Sequence, residues 1–215
     1  LQVGGVSSWT NVAGGVWSNG ACWLGGVAPA AGGRGDYIIT YETNSYSGSS
    51  INNLGTNFAL NQLNFSASHA AVTLASNSFA FTPHGSLPEL NQYGSNTVAI
   101  NNSLNLLANT VLGGTGTGRV TIAGAITGNG GLIKTGAGNV VLTSTMNSYA
   151  GDTVVSNGIL TLKATGPAAL TITRDLGLWL DAGAGDTMTM SNTTVMSWGD
   201  KLSGTPAAAI MSGTP

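Results

Sequence analysis

Apolar residues alternate with polar ones along most of this chain, in short pairs two residues apart: Leu63/Phe65, Val72/Leu74, Phe79/Phe81, Val98/Ile100, Leu104/Leu106, Val120/Ile122, Val140/Leu142 and Leu160/Leu162. A period of two places both members of a pair on one side of an extended strand, whereas an amphipathic helix needs spacings of three and four. The alternation is β. Aligning Val72/Leu74, Val98/Ile100, Val120/Ile122, Val140/Leu142 and Leu160/Leu162 gives steps of 26, 22, 20 and 20 residues. A strand-and-corner unit of about 20 residues is too small to bury its own apolar side, so successive copies must stack. The expected fold is therefore all-β, a solenoid with one step per rung. Tyr37–Tyr41, rich in β-branched and aromatic residues, reads as the first clear strand. The 26-residue step contains Pro83, His84, Pro88 and Tyr93, and its extra residues are expected to bulge from a corner as a loop. Asn61, Asn64, Asn101, Asn102, Asn105 and Asn109 are placed at corners, where Asn adopts the left-handed conformation and bonds a neighbouring backbone.

The most regular stretch is Gly128-Asn129-Gly130-Gly131-Leu132-Ile133-Lys134-Thr135-Gly136-Ala137-Gly138-Asn139-Val140-Val141-Leu142, followed by Asn147-Ser148-Tyr149-Ala150-Gly151-Asp152-Thr153 and Gly158-Ile159-Leu160. It reads as two short strands, each entered through Gly or Asn at a tight corner. These residues resemble the autotransporter-associated β-strand repeat, or passenger-associated transport repeat, of large bacterial surface proteins, with a pattern of roughly G-x-G-x-L-x-K-x-G-x-G-x-L-x-L, N-x-Y-x-G-x-T and G-x-L. The chain departs from it at Val140, where Leu is usual, and in Thr143 to Met146, one residue longer than usual. The resemblance implies a right-handed parallel β-helix outside the cell and no catalytic residues.

The two ends differ from the ladder. Residues 1–36 hold Trp9, Trp17 and Trp23 among Gly, Asn and Pro, and resemble the segment that precedes such repeats in many bacterial surface proteins. Large rings cover the open end of a first rung with few residues, so this segment reads as a cap. An exposed aromatic set stacking on sugar rings is the competing reading. The lone Cys22 excludes an internal disulfide; it reads as a small apolar cap residue, with an intermolecular disulfide as the alternative. Arg34-Gly35-Asp36 spells a tripeptide read by integrins, but three residues in a Gly-rich loop arise cheaply by chance. Residues 37–175 form the expected solenoid, with Leu170/Ile172 as a candidate last strand. Residues 176–215 are a non-solenoid segment in which Leu178-Trp179-Leu180-Asp181-Ala182 and Val195-Met196-Ser197-Trp198 resemble the opening of concanavalin-like or laminin-G-like domains. It is expected to serve as a cap or an inter-subunit joint.

Only 7% of the 215 residues are charged, against about 25% in average globular proteins, while 42% are hydrophobic and 33 are Gly. Sparse charge lowers the barrier to association between copies. A net charge of −2 without a basic cluster argues against nucleic acid. No apolar run reaches a membrane span, and no charged-then-apolar leader opens the chain, so Leu1 reads as a mature or trimmed end.

Chemistry is thin. Glu42, Glu89 and Asp152 are isolated, and Asp175, Asp181 and Asp186 form the one cluster. Stacking brings Asp175 toward Asp152 as a candidate acid pair or calcium site, with solvated turn residues as the alternative. His69 and His84 lack partners at zinc-ligand spacing. No cofactor or metal is expected. The leading reading is a non-enzymatic extracellular stalk or self-assembling filament subunit that associates through its solenoid ends. Trp9, Trp17, Trp23, Trp179 and Trp198 are the candidate assembly or glycan contacts. A polysaccharide-binding module is the alternative, and a β-helix lyase or hydrolase comes last.

Overall fold

The computed structural model describes residues 5–162 in full and, beyond them, the strands Met188–Ser191, Thr194–Gly199 and Pro206–Ala209. The chain divides into two compact units, Leu1–Pro167 and Ala168–Pro215. The first is a parallel β-solenoid of about 6 turns.

Three faces run along this unit. The first stacks Val6–Trp9, Ile38–Tyr41, Gln62–Phe65, Glu89–Gln92, Thr110–Gly113, Leu132–Lys134 and Thr153–Val155. On the second, Gly15–Val16, Ser49–Asn52, Val72–Ser76, Val98–Ile100, Val120–Ile122, Asn139–Leu142 and Ile159–Leu162 stack in turn. The third holds Phe58–Leu60, Phe79–Phe81, Leu104–Leu106 and Ile126–Gly128. All these pairings are parallel. The steps read from the sequence are the observed registers: Val98 pairs with Val72 and Val120, Val120 with Val140, and Val140 with Leu160.

Because the register preserves alternation, inward residues form columns. Ile39, Leu63, Leu90, Leu112 and Lys134 stack on the first face, and Val72, Val98, Val120, Val140 and Leu160 on the second. Phe58, Phe79, Leu104 and Ile126 stack on the third. Aromatic side chains fill the early rungs and aliphatic ones the later rungs, as the rungs shorten.

The first rung begins earlier than Tyr37–Tyr41: Val6–Trp9 pairs with Ile38–Tyr41, and Gly15–Val16 with Ser50–Ile51. The Trp-rich segment is thus itself a rung. Its third side is closed by Gly32 to Arg34, whose backbone brackets Ala59 through Ala59 N–H to Gly32 O and Arg34 N–H to Ala59 O, each 2.9 Å. The loop expected at Pro83 to Pro88 is present between Phe79–Phe81 and Glu89–Gln92. The backbone-bonding half of the Asn expectation holds at Asn61 and Asn102, whose amides donate to Thr82 O at 3.0 Å and Asn77 O at 2.6 Å, and at Asn109, whose Oδ1 accepts Gly131 N–H at 2.8 Å, but none of the three is left-handed. Asn64 and Asn105 instead sit mid-strand. Among the described residues the left-handed non-Gly positions are Asn57 and Ser76; a side-chain amide bonds a neighbouring rung without its own backbone inverting.

Several positions of the repeat motif have a physical reason. Asn147 Oδ1 accepts Ile126 N–H of the preceding rung at 2.9 Å, and Tyr149 packs against the core with its hydroxyl 2.6 Å from Thr153 Oγ1. At Gly130, a Cβ would lie 2.0 Å from Ala108 O, so backbone on backbone leaves no room for a side chain.

In the second unit, Thr194–Gly199 pairs antiparallel with both Met188–Ser191 and Pro206–Ala209. Leu170/Ile172, Asp175, Asp181 and Asp186 lie outside the described residues.

Candidate functional site

The densest constellation of special side chains is the aromatic nucleus of the first rungs. Trp9 and Trp17 are 0% exposed and Trp23 is 2% exposed. Trp23 meets both others edge-on, with centroids 5.1 Å from Trp9 and 5.3 Å from Trp17. Trp17 also contacts Phe58 edge-on at 5.1 Å and stacks on Phe79 at 5.4 Å. The indole N–H of each of these three tryptophans is satisfied inside the chain. Trp9 donates to Asn11 O at 3.0 Å, Trp23 to Trp17 O at 2.8 Å and Trp17 to Ser50 Oγ at 2.7 Å. Burial also pushes the Tyr41 phenol, 2.7 Å from Ser50 Oγ, far above its ordinary range.

This placement corrects the expectation of glycan or inter-subunit contact through Trp9, Trp17 and Trp23. A sugar or a second subunit cannot reach ring faces already covered by Phe58, Phe79 and Tyr41. Trp198 lies in the central strand of the antiparallel sheet, its backbone opposite Met188 and Ala208, and Trp179 lies outside the described residues. Cys22 is buried as a free thiol beside Asn11 Nδ2, in keeping with a small cap residue. Arg34 and Asp36 are joined to each other by a 2.8 Å ion pair, with the guanidinium 5.8 Å from the Tyr37 ring centroid.

Among the described residues, no group of three or more His, Cys, Asp or Glu is placed to hold a metal ion. Asp152 is exposed at a corner, and its backbone carbonyl serves the ladder by accepting Leu132 N–H. His84 is exposed in its loop. His69 is fully buried at a corner, its Nε2 2.7 Å from Gln92 Oε1 and its Nδ1 2.5 Å from Ala70 O. A shallow Gly-rich crevice is lined by Leu90, Gln92, Gly116, Gly118 and Lys134.

Two features escape sequence reasoning. Lys134, only 1% exposed, faces inward and donates to Gly136 O and, at 3.2 Å, to Asn157 O of the next rung. Burial holds its pKa below the usual lysine value. The other is a polar patch on the outside of the first face, where Gln62 pairs with Glu89 and Asn64 with Asn91. Asn91 Nδ2 donates to Glu89 Oε2 at 2.7 Å and Asn64 Oδ1 at 3.1 Å, and Asn64 Nδ2 donates to Gln62 Oε1 at 3.2 Å. Tyr93, 41% exposed, follows directly after the strand Glu89–Gln92. The signal in the sequence is the run Glu89-Leu90-Asn91-Gln92-Tyr93, whose outward members are all polar or aromatic.

Residues 132–162 match the passenger-associated transport repeat family. The chain is also 38% identical over 117 residues to the adhesin BmaC autotransporter of Brucella suis biovar 1, an alignment covering 51% of this chain. The chain spans 3% of the length of that relative. No solved structure matches it. The chain is thus a parallel β-solenoid with a segment, 132–162, similar to the passenger-associated transport repeat, and it resembles part of an autotransporter adhesin.

Proposed function

We propose that this chain is a non-catalytic segment of a bacterial surface adhesin, a solenoid shaft that holds adhesive surfaces away from the cell. The observation that carries the reading is the unbroken parallel register from Val6 to Leu162, in which inward columns pass from rung to rung, with no group of three or more His, Cys, Asp or Glu among the described residues. Such a ladder transmits position along its length, whereas polysaccharide cleavage needs two carboxylates converging on one bond. The relative's description as an adhesin supports the same reading. Displaying the chain on a non-adherent bacterium behind an outer-membrane translocator tests it. Increased attachment to host-cell monolayers, without release of reducing ends from polysaccharides, is the expected result; polysaccharide cleavage sinks it.

The finer reading is that copies associate end to end. Its support is the sparse charge of the chain, 7% of residues, which lowers the barrier to association between copies. Sedimentation velocity across a concentration series distinguishes the outcomes: growing species support association, and a single monomer boundary at all concentrations removes it.

A further inference from the structure

We propose that the outer patch formed by Gln62, Asn64, Glu89, Asn91, Tyr93 and Gly113 binds a neutral oligosaccharide through a pair of vicinal hydroxyls. The inference goes beyond the shaft reading and does not depend on it.

The patch is pre-organised. Asn91 is only 4% exposed, and both of its amide hydrogens are committed, to Glu89 Oε2 and to Asn64 Oδ1. Asn64 in turn donates to Gln62 Oε1. The network therefore fixes four side chains in one orientation and leaves a defined set of groups turned outward. Glu89 keeps its second carboxylate oxygen as an acceptor, Gln62 keeps its amide N–H groups as donors, and Asn91 Oδ1 accepts no hydrogen bond from the described residues.

Glu89 and Gln62 are cross-strand neighbours, and paired strands lie about 4.8 Å apart. That spacing suits two hydroxyls on adjacent sugar carbons, one donating to the carboxylate and the other accepting from the amide. A carboxylate makes the stronger of these bonds because it is charged. Sites of this kind combine a few fixed polar groups with an apolar platform. The proposed platform is the exposed Tyr93, which directly follows this strand, with Val111 beside Glu89 on the next rung.

Gly113 supplies the approach. It pairs with Asn91, and a Cβ at this position would stand 2.6 Å from Asn91 Oδ1, covering the free acceptor. A single uncompensated carboxylate disfavours acidic sugars, which is why the ligand class is neutral. A calcium ion needs six to eight oxygen ligands, more than one carboxylate and its amide neighbours present.

The test is titration of the whole chain with cellohexaose and, separately, with a galacturonic acid hexamer, read by amide chemical shifts. Saturable shifts confined to residues 62–66, 89–93 and 111–115 with cellohexaose, and none with the acidic hexamer, are expected. Glu89→Ala and Tyr93→Ala should each weaken binding by about tenfold or more, the scale of one good charged hydrogen bond or stacking contact. Gly113→Ala should weaken it as well while leaving the carboxylate in place, and Glu89→Gln guards against a folding defect. No saturable shift with cellohexaose, or equal affinity in Glu89→Ala, Tyr93→Ala and Gly113→Ala, overturns the proposal. The attachment assay for the shaft is independent of this readout, so each reading can fail alone.

Discussion

Trp17 and Ser50, 33 residues apart in the chain, meet in the core with the indole Nε1–H donating to Ser50 Oγ at 2.7 Å. The Tyr41 hydroxyl reaches the same oxygen at 2.7 Å. One small hydroxyl thus serves two of the largest buried side chains, and it does so from a position where the later rungs carry Leu74, Ile100 and Ile122. The polar exception in an apolar column exists because aromatic rings with polar atoms fill the first rungs.

Replacing Ser50 by Ala leaves the Trp17 N–H and the Tyr41 hydroxyl without this partner. The cost should be about 2 to 4 kcal/mol, since each unsatisfied buried polar group costs about 1–3 kcal/mol. Ser49→Ala, on the outward side of the same strand, should stay within about 0.5 kcal/mol. Urea denaturation of the two variants checks the contrast.

Excising residues 120–139 places Val140 where Val120 stood, one full rung away in the observed register. The shortened chain should keep a cooperative transition and its β-sheet circular dichroism. Excising residues 120–140 instead puts Val141 there and turns every following inward side chain outward, because the side-chain period is two. That variant should lose its cooperative thermal transition.

Alkaline pH should weaken the fold through its buried phenols. Burial pushes Tyr46 from 10.0 to about 12, and Tyr41 is raised further by the same cause. A raised folded value means the stabilisation is complete below pH 10. Above pH 10 the unfolded chain releases protons that the folded chain retains, so stability falls through the window from 10 to 12. Melting temperatures between pH 8 and 12 should decline, and Tyr46→Phe should make the decline shallower. An unchanged slope in that variant counts against the assignment.

Lys134 carries the opposite sign. Burial lowers its pKa from 10.5, so its folded state disfavours the proton and stability rises with pH between the lowered value and 10.5. Lys134→Met retains most of the packing against Leu112 and removes the desolvated charge, and should fall within about 1 kcal/mol of the parent. Lys134→Ala opens a cavity and should cost about 2–4 kcal/mol. Hydrogen exchange should quicken in both variants at Ser156 and Asn157, whose turn loses the Nζ contact to Asn157 O.

The second face was legible because each of its later rungs presents two inward apolar residues flanking an outward one, as in Val98-Ala99-Ile100 and Val120-Thr121-Ile122. The later strands of the first face escaped the same reading. Their inward positions include Gln92 and Lys134, so Glu89–Gln92 and Leu132–Lys134 show no clean apolar pair. The early tryptophans were legible as a covering for the first rung, but not which way their rings face. A Trp-rich segment has the same composition whether its rings face solvent or core, and only closure of the first rung over Phe58 and Phe79 buries them.

By itself, the sequence determined the β period, the stacking step and the place where steps regularise, because these depend on local alternation and on a unit too small to fold alone. The tertiary structure decided which polar side chains share a surface. Gln62 and Glu89 are 27 residues apart and nothing local joins them. They become neighbours only because the intervening rung, with its extra loop at 82–88, returns the chain to the same face in register.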